Sequence, residues 1–179
     1  MGTKGFHSNR SIINDAAAAS PKQPIINMGQ GFFGYNPPKF ILDAAKAALD
    51  RVECNQYSPT KGRPRLKKAI ADAYSPFWGR AIDPETEVTV TTGANEGMLS
   101  AFMAFIEAGD EVIVFEPFFD QYISNIEMAG GKIVYVPMYP PKTGASKTSS
   151  AADWTIDFDE LERAITPRTK MIVLNTPRE

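Results

Sequence analysis

Residues suited to meeting a ligand fall in a few short stretches. Thr92-Gly93-Ala94-Asn95 joins Val88-Thr89-Val90-Thr91, which alternates like a half-buried strand, to a run with Met98, Leu99, Phe102, Phe105 and Ile106 at helical spacing. A strand-to-helix turn aims unpaired backbone N–H groups and a partial positive charge outward, so it can seat an anion. Gly93 permits the bend and Ala94 adds little bulk. The same letters also suit an ordinary turn capped by Asn95 or Thr92. Glu116-Pro117-Phe118-Phe119 and Asn175-Thr176-Pro177 follow two further apolar runs and offer aromatic and polar groups at strand exits. Gly29-Gln30-Gly31-Phe32-Phe33-Gly34 matches G-x-G-x-x-G, but that fingerprint must open a helix, and Tyr35-Asn36-Pro37-Pro38 favours extended or turn geometry. A glycine-rich loop or turn is the better reading.

The elements that must position these residues alternate. Phe40, Ile41, Ala44, Ala45, Ala48, Leu49 and Val52 form an apolar stripe on a helix from Lys39 to about Glu53. A polar loop, Asn55 to Gly62, precedes a helix from Pro64 to Trp78 with Leu66, Ile70, Ala73, Tyr74 and Phe77 apolar, stopped by Gly79. Arg63, Arg65, Lys67 and Lys68 look like its solvated start. After the helix ending near Gly109 come a strand at 111–115, a helix from Asp120 to Ala129 closed by Gly130-Gly131, and a strand at 132–136. A Pro-, Ser- and Lys-rich loop, Tyr139 to Asp153, reads as a surface excursion. A helix then runs to Ile165 from a capping box at Asp157 and Glu160, and a last strand covers 170–175. The expected fold is α/β, a parallel or mixed sheet with helical crossovers, and ligands bind at the carboxyl ends of its strands.

Composition narrows the partners. A formal net charge of −2 without a dense basic cluster disfavours nucleic acid and anionic membranes, and no apolar run is long enough to span a bilayer. One cysteine, Cys54, and one histidine, His7, make neither a disulfide nor a zinc site, and no metal is expected. A cytoplasmic setting is expected; Lys4, Ser8, Arg10 and Ser11 with Asp15 as the only acid in the first twenty residues leave a mitochondrial presequence as the alternative.

Asn27-Met28-Gly29-Gln30-Gly31-Phe32, Asn55-Gln56-Tyr57-Ser58-Pro59-Thr60-Lys61-Gly62, Gly109-Asp110-Glu111-Val112-Ile113, Glu116-Pro117-Phe118-Phe119-Asp120-Gln121-Tyr122 and Asn175-Thr176-Pro177 stand in the order and spacing of a known family. From Asn27 to Pro177 the chain resembles the fold type I pyridoxal-phosphate-dependent aminotransferases, in particular their kynurenine aminotransferase and cysteine-conjugate β-lyase branch. The resemblance implies pyridoxal 5'-phosphate as cofactor, amino acid and 2-oxo acid substrates, and a homodimer. It implies that the backbone N–H groups of Ala94 and Asn95 hold the phosphate, that Tyr57 adds a hydroxyl from the neighbouring subunit, that Phe119 stacks on the pyridine ring, and that Gly31 lies beside the substrate carboxylate. Read alone, Phe119 is a core aromatic, Tyr57 a loop tyrosine and Gly31 a turn residue. The implied organisation is an arm at 1–27, a small-domain or cleft segment at 28–40, and the first part of the cofactor-binding large domain at 41–179.

The lysine that forms a Schiff base with the cofactor lies, in that family, well beyond the strand ending at Asn175, and it is absent here. Lys170 enters a strand at the wrong end and Lys61 sits in a loop. After Asn-Thr-Pro the family continues to an asparagine facing the cofactor's phenolic oxygen; here Arg178 and Glu179 follow, and the role is not carried to Glu179. The expectation is an amino-terminal fragment that does not catalyse transamination alone and is poorly stable because its sheet leaves an apolar edge. A β-lyase of the same fold and a non-catalytic interaction domain are the alternatives.

Overall fold

A buried apolar run builds the centre of the fold. The computed structural model describes Ala18, residues 34–142 and residues 150–176. The chain divides into two compact units, 1–57 and 58–179. In the second, β1 (Glu111–Glu116) is buried at every position but its last. Such a strand must be covered on both faces, the usual state of a parallel strand between helical layers. It pairs in parallel with β2 (Lys132–Tyr139) from Glu111↔Lys132 to Glu116↔Pro137, and in parallel with β4 (Thr169–Val173), with a register irregularity after Glu111. β3 (Thr155–Ile156) pairs antiparallel with the end of β2, giving the order β3-β2-β1-β4. The sheet is therefore mixed α/β, as expected from the sequence.

Helices fill the two faces of β1. On one side Val112 and Val114 pack with Phe102 and Ile106 at the end of one helix and Tyr122 and Ile126 of the next. On the other, Ile113, Phe115 and Val136 pack with Ile156, Leu161 and Ala164. Ile113 and Ile126 are wholly buried, each stabilising the fold by about 1.5–3 kcal/mol. In chain order the helices are α1 (Lys39–Leu49) in the first unit, then α2 (Pro64–Trp78), α3 (Ala94–Phe105), α4 (Gln121–Met128) and α5 (Phe158–Ala164). Gly79, with φ 66°, ends α2, and Gly130, with φ 86°, follows α4.

Several local expectations are corrected. The segment 88–91 is not a strand: Val90 N–H donates to the Lys61 carbonyl, 3.1 Å, the Thr91 carbonyl accepts from Gly93 N–H, 2.8 Å, and among the described residues no strand lies alongside it to supply a ladder. Alternation made it competent for pairing but could not provide a partner. α1 stops at Leu49, where the Asn55 amide donates to the Leu49 and Arg51 carbonyls, 2.9 and 3.1 Å, and a 3-10 turn occupies Val52–Asn55. On α2 the apolar stripe is largely exposed, while Lys67, expected in solvent, is 3% exposed and its ammonium donates to Glu85 at 2.7 Å. Phe105 is exposed although Phe102 and Ile106 are buried. β2 runs on to Tyr139, and Asp157 caps α5 by accepting from Asp159 and Glu160 N–H, but Glu160 does not complete the box: its carboxylate accepts the Tyr139 hydroxyl instead, 2.9 Å.

The amino ends of β1 and β4 are locked by charge. Glu111 accepts from the Thr166 hydroxyl at 2.6 Å and from the Arg168 guanidinium at 2.6 and 2.8 Å. The Thr166 hydrogen bond first, and then that from Arg168, hold its carboxyl below the usual carboxylate range. The folded state thus favours ionised Glu111, so this stabilisation is complete above the ordinary glutamate pKa and disappears as pH falls through the lowered value. Urea midpoints at pH 7 and pH 3.5 are expected to differ less in Glu111→Gln than in the wild type. Gly62 has φ 98°, and a Cβ there would meet the Val90 Cβ at 2.6 Å. Gly62→Ala is expected to cost about 1–3 kcal/mol, measured as a lower urea midpoint at unchanged m.

Candidate functional site

The carboxyl ends of β1 and β4 open on one cavity of about 180 Å³, lined by residues that include Phe118, Phe119, Tyr122, Leu174, Asn175 and Thr176. Apolar cavities of roughly 150 Å³ hold a benzene-sized ring. The space therefore suits one planar ring with a polar group at the Asn175-Thr176 side, and not a whole drug-sized ligand. Phe119 is 37% exposed and meets Tyr122 edge to face, centroids 5.9 Å apart. Phe118 stacks on Tyr135 at 5.7 Å. The core beneath is already filled by Tyr122 and Ile126, which leaves part of the Phe119 ring uncovered at the opening.

The turn before α3 is built as a donor surface. Gly93 takes φ 88° and ψ 163°, a conformation open to glycine, and it is the N-cap residue. Having no side chain, it cannot cap, so the first N–H groups of α3 at Ala94 and Asn95 point out of an uncapped helix start. Neither Asn95 nor Thr92 is the cap. The Glu96 carboxylate folds back to accept from Thr92 N–H, and the Thr91 hydroxyl donates to the Gly93 carbonyl at 2.9 Å, which fixes the loop on the approach side. A Cβ at Gly93 would meet nothing within 4 Å, so the space over the turn is open.

Ala94 and Asn95 are exposed and are not among the residues lining the cavity. What joins the two parts is a side chain not singled out in the sequence. Asn125 of α4 donates from Nδ2 to Asn95 Oδ1 at 3.0 Å. Its position on the buried face, three residues after Tyr122 and next to Ile126, was the available signal: a lone amide on an apolar stripe. Tyr57 is fully exposed and belongs to the first unit, and Gly31 lies outside the described residues.

An uncapped, glycine-led helix start on one helix and a ring-sized aromatic cavity beside the next, the cavity at the carboxyl ends of two parallel strands, are features that suit a phosphorylated planar ligand. The model of the aminotransferase class I and II family matches residues 23–179. The chain belongs to this family. It is 52% identical to probable kynurenine–oxoglutarate transaminase BNA3 of Saccharomyces cerevisiae, over 99% of this chain and 42% of the yeast protein. With human kynurenine–oxoglutarate transaminase 1 it shares 40% identity over 86% of this chain and 36% of the human one. The crystal structure of Bna3p superposes with a TM-score of 0.91 at 50% identity, covering 99% of this chain and 42% of that one. The chain thus spans about 42% of the length of its yeast relative. The family depends on pyridoxal 5'-phosphate, and the residues just described fit its two recognition demands, an anion seat and a ring-sized wall.

Gly93→Ala would force alanine into φ 88°, ψ 163°, a cost of about 1–3 kcal/mol that comes from the backbone alone. A lowered thermal midpoint is expected, together with loss of inorganic phosphate binding measured by equilibrium dialysis.

Proposed function

We propose that this chain forms the cofactor-holding part of an aminotransferase that moves an amino group between an amino acid and a 2-oxo acid, with kynurenine and 2-oxoglutarate as the pair that the names of its relatives point to. The observation that carries this reading is the uncapped helix start at Ala94 and Asn95, tied by a side-chain bond to the helix that walls the Phe119 cavity. When bound, pyridoxal phosphate supplies an electron sink for the bonds at the substrate α-carbon. The chain's own part is to hold and aim. Ala94 and Asn95 N–H groups bind the phosphate, and Phe119 fixes the plane of the ring, adding about 0.5–1.5 kcal/mol beyond burial. Tyr57 gives its hydroxyl to the phosphate of a neighbouring subunit in a homodimer, and Gly31 leaves room for the substrate carboxylate. Residues 28–40 serve the cleft, 41–179 begin the large domain, and 1–27 are an arm. Among the described residues no helix is long and apolar enough to cross a membrane; a cytoplasmic setting is proposed, compatible with the free Cys54.

The reactive amine is proposed to come from outside these residues. Lys170 stands at the start of β4, beside the Glu111 end of the sheet, and the cavity is at the other end. Lys61 lies in an exposed turn. In equilibrium dialysis the chain is expected to bind pyridoxal phosphate more tightly than pyridoxal by about tenfold or more, the worth of a charge-assisted hydrogen bond. Borohydride treatment of the mixture should leave no stoichiometric lysine adduct. Equal affinity for the two ligands would sink the proposed seat, and a stoichiometric adduct would overturn the assignment of the amine elsewhere.

A further inference from the structure

We propose that Asn125 is the positioning residue of the phosphate seat: through Asn95 it fixes the first turn of α3, and it couples that turn to the wall of the ring cavity. The inference rests on the reading of Ala94 and Asn95 as the seat. Asn125 is 2% exposed, on the face of α4 that also buries Tyr122 and Ile126. A leucine would fill such a site without burying an amide, and a buried amide is tolerated when its polar atoms are paired. Here they are paired. Nδ2 donates to Asn95 Oδ1 at 3.0 Å, and Oδ1 accepts from Gln121 Nε2 at 3.4 Å, the long end for such a bond.

Asn95 therefore has a divided task. Its backbone N–H belongs to the uncapped helix start, while its side-chain carbonyl is held by the neighbouring helix. Gly93 cannot restrain that turn with a side chain, and the Glu96 carboxylate restrains the loop before it rather than the donors themselves. The bond from Asn125 is the restraint that reaches a donor residue from the core. One turn back on α4 from Asn125 lies Tyr122, which lines the cavity and touches Phe119. A rigid link between the seat and the ring wall sets the spacing at which a phosphate and an aromatic ring can be held together, and preorganisation of this kind appears as affinity.

The test compares pyridoxal phosphate with pyridoxal, which lacks the phosphate, by equilibrium dialysis on the 179-residue chain and on Asn125→Leu, Asn95→Ala and the double variant. Asn125→Leu is expected to weaken pyridoxal phosphate about three- to tenfold, the effect of one hydrogen bond, and to leave pyridoxal unchanged. The double variant should be no weaker than Asn95→Ala, because both changes remove one coupled interaction. A wild-type chain that does not prefer the phosphorylated ligand overturns the seat itself. Wild-type preference retained in Asn125→Leu overturns this inference alone. Equal loss for both ligands, or losses that add in the double variant, makes Asn125 a general packing residue and overturns it too. Should Asn125→Leu fail to fold, titration of the ¹⁵N-labelled wild type with inorganic phosphate decides: the Asn125 side-chain amide must shift with the same midpoint as the Ala94 and Asn95 backbone amides, and an unmoved signal overturns the proposal.

Discussion

The burial of β1 on both faces is the constraint from which the rest of the second unit follows. Val112 and Val114 need one helical layer and Ile113 and Phe115 need another, so α3 and α4 are held on one side and α5 on the other. A strand whose edges are both occupied by parallel neighbours can present new chemistry only where it ends. That is why Phe118 and Phe119 emerge together with Asn175 and Thr176, although some sixty residues of chain separate them.

The same packing accounts for the division of labour at the site. α3 is anchored along one face by Met98, Phe102 and Ile106, and the turn that carries Gly93, Ala94 and Asn95 lies before the first of these contacts. Packing along one face sets the axis of a helix but leaves a terminal turn able to fray. A directional bond from the buried Asn125 is the kind of interaction able to fix that terminus, because hydrogen bonds specify geometry and apolar contacts do not. Apolar packing places the elements, and one polar link, from Asn125 to Asn95, ties the first turn of α3 to α4.

The sequence made the central strands and the helices readable because long apolar runs and period-3.6 stripes mark elements within a few residues of themselves, although the stripes of α1 and α2 stay largely exposed. The glycines at 79 and 130 were readable for a similar reason, since positive φ is a local demand. What escaped depended on residues far along the chain. Val88 to Thr91 has the alternation of a strand, yet a ladder needs a partner that local pattern cannot reveal. β3 is two residues long, too short to show a period, and exists because β2 continues through Pro137 to Met138 and Tyr139. Lys67 reads as a solvated charge until Glu85 is brought against it by the loop that follows α2. Asn125 sits in plain view on an apolar face, but its partner stands thirty residues earlier on another helix. The turn at Gly93 to Asn95 and the aromatic exit at Phe119 were both legible; the bond that relates them was not.

Holding a cofactor and reacting with it make different demands on a chain. An uncapped helix end and an aromatic wall are fixed dipoles and surfaces, and they act without changing protonation. Proton transfer instead requires a titratable group within hydrogen-bond reach of the reacting atom, and covalent attachment of an aldehyde requires an amine. The lysines that the resemblance brings into question do not meet that demand: Lys170 is carried at the end of the sheet where Thr169 pairs with Glu111, and the parallel direction of β4 points its other end, Val173 onward, at the cavity. No rotamer change reverses a strand. Neither Lys61 nor Lys170 is among the residues that line the cavity.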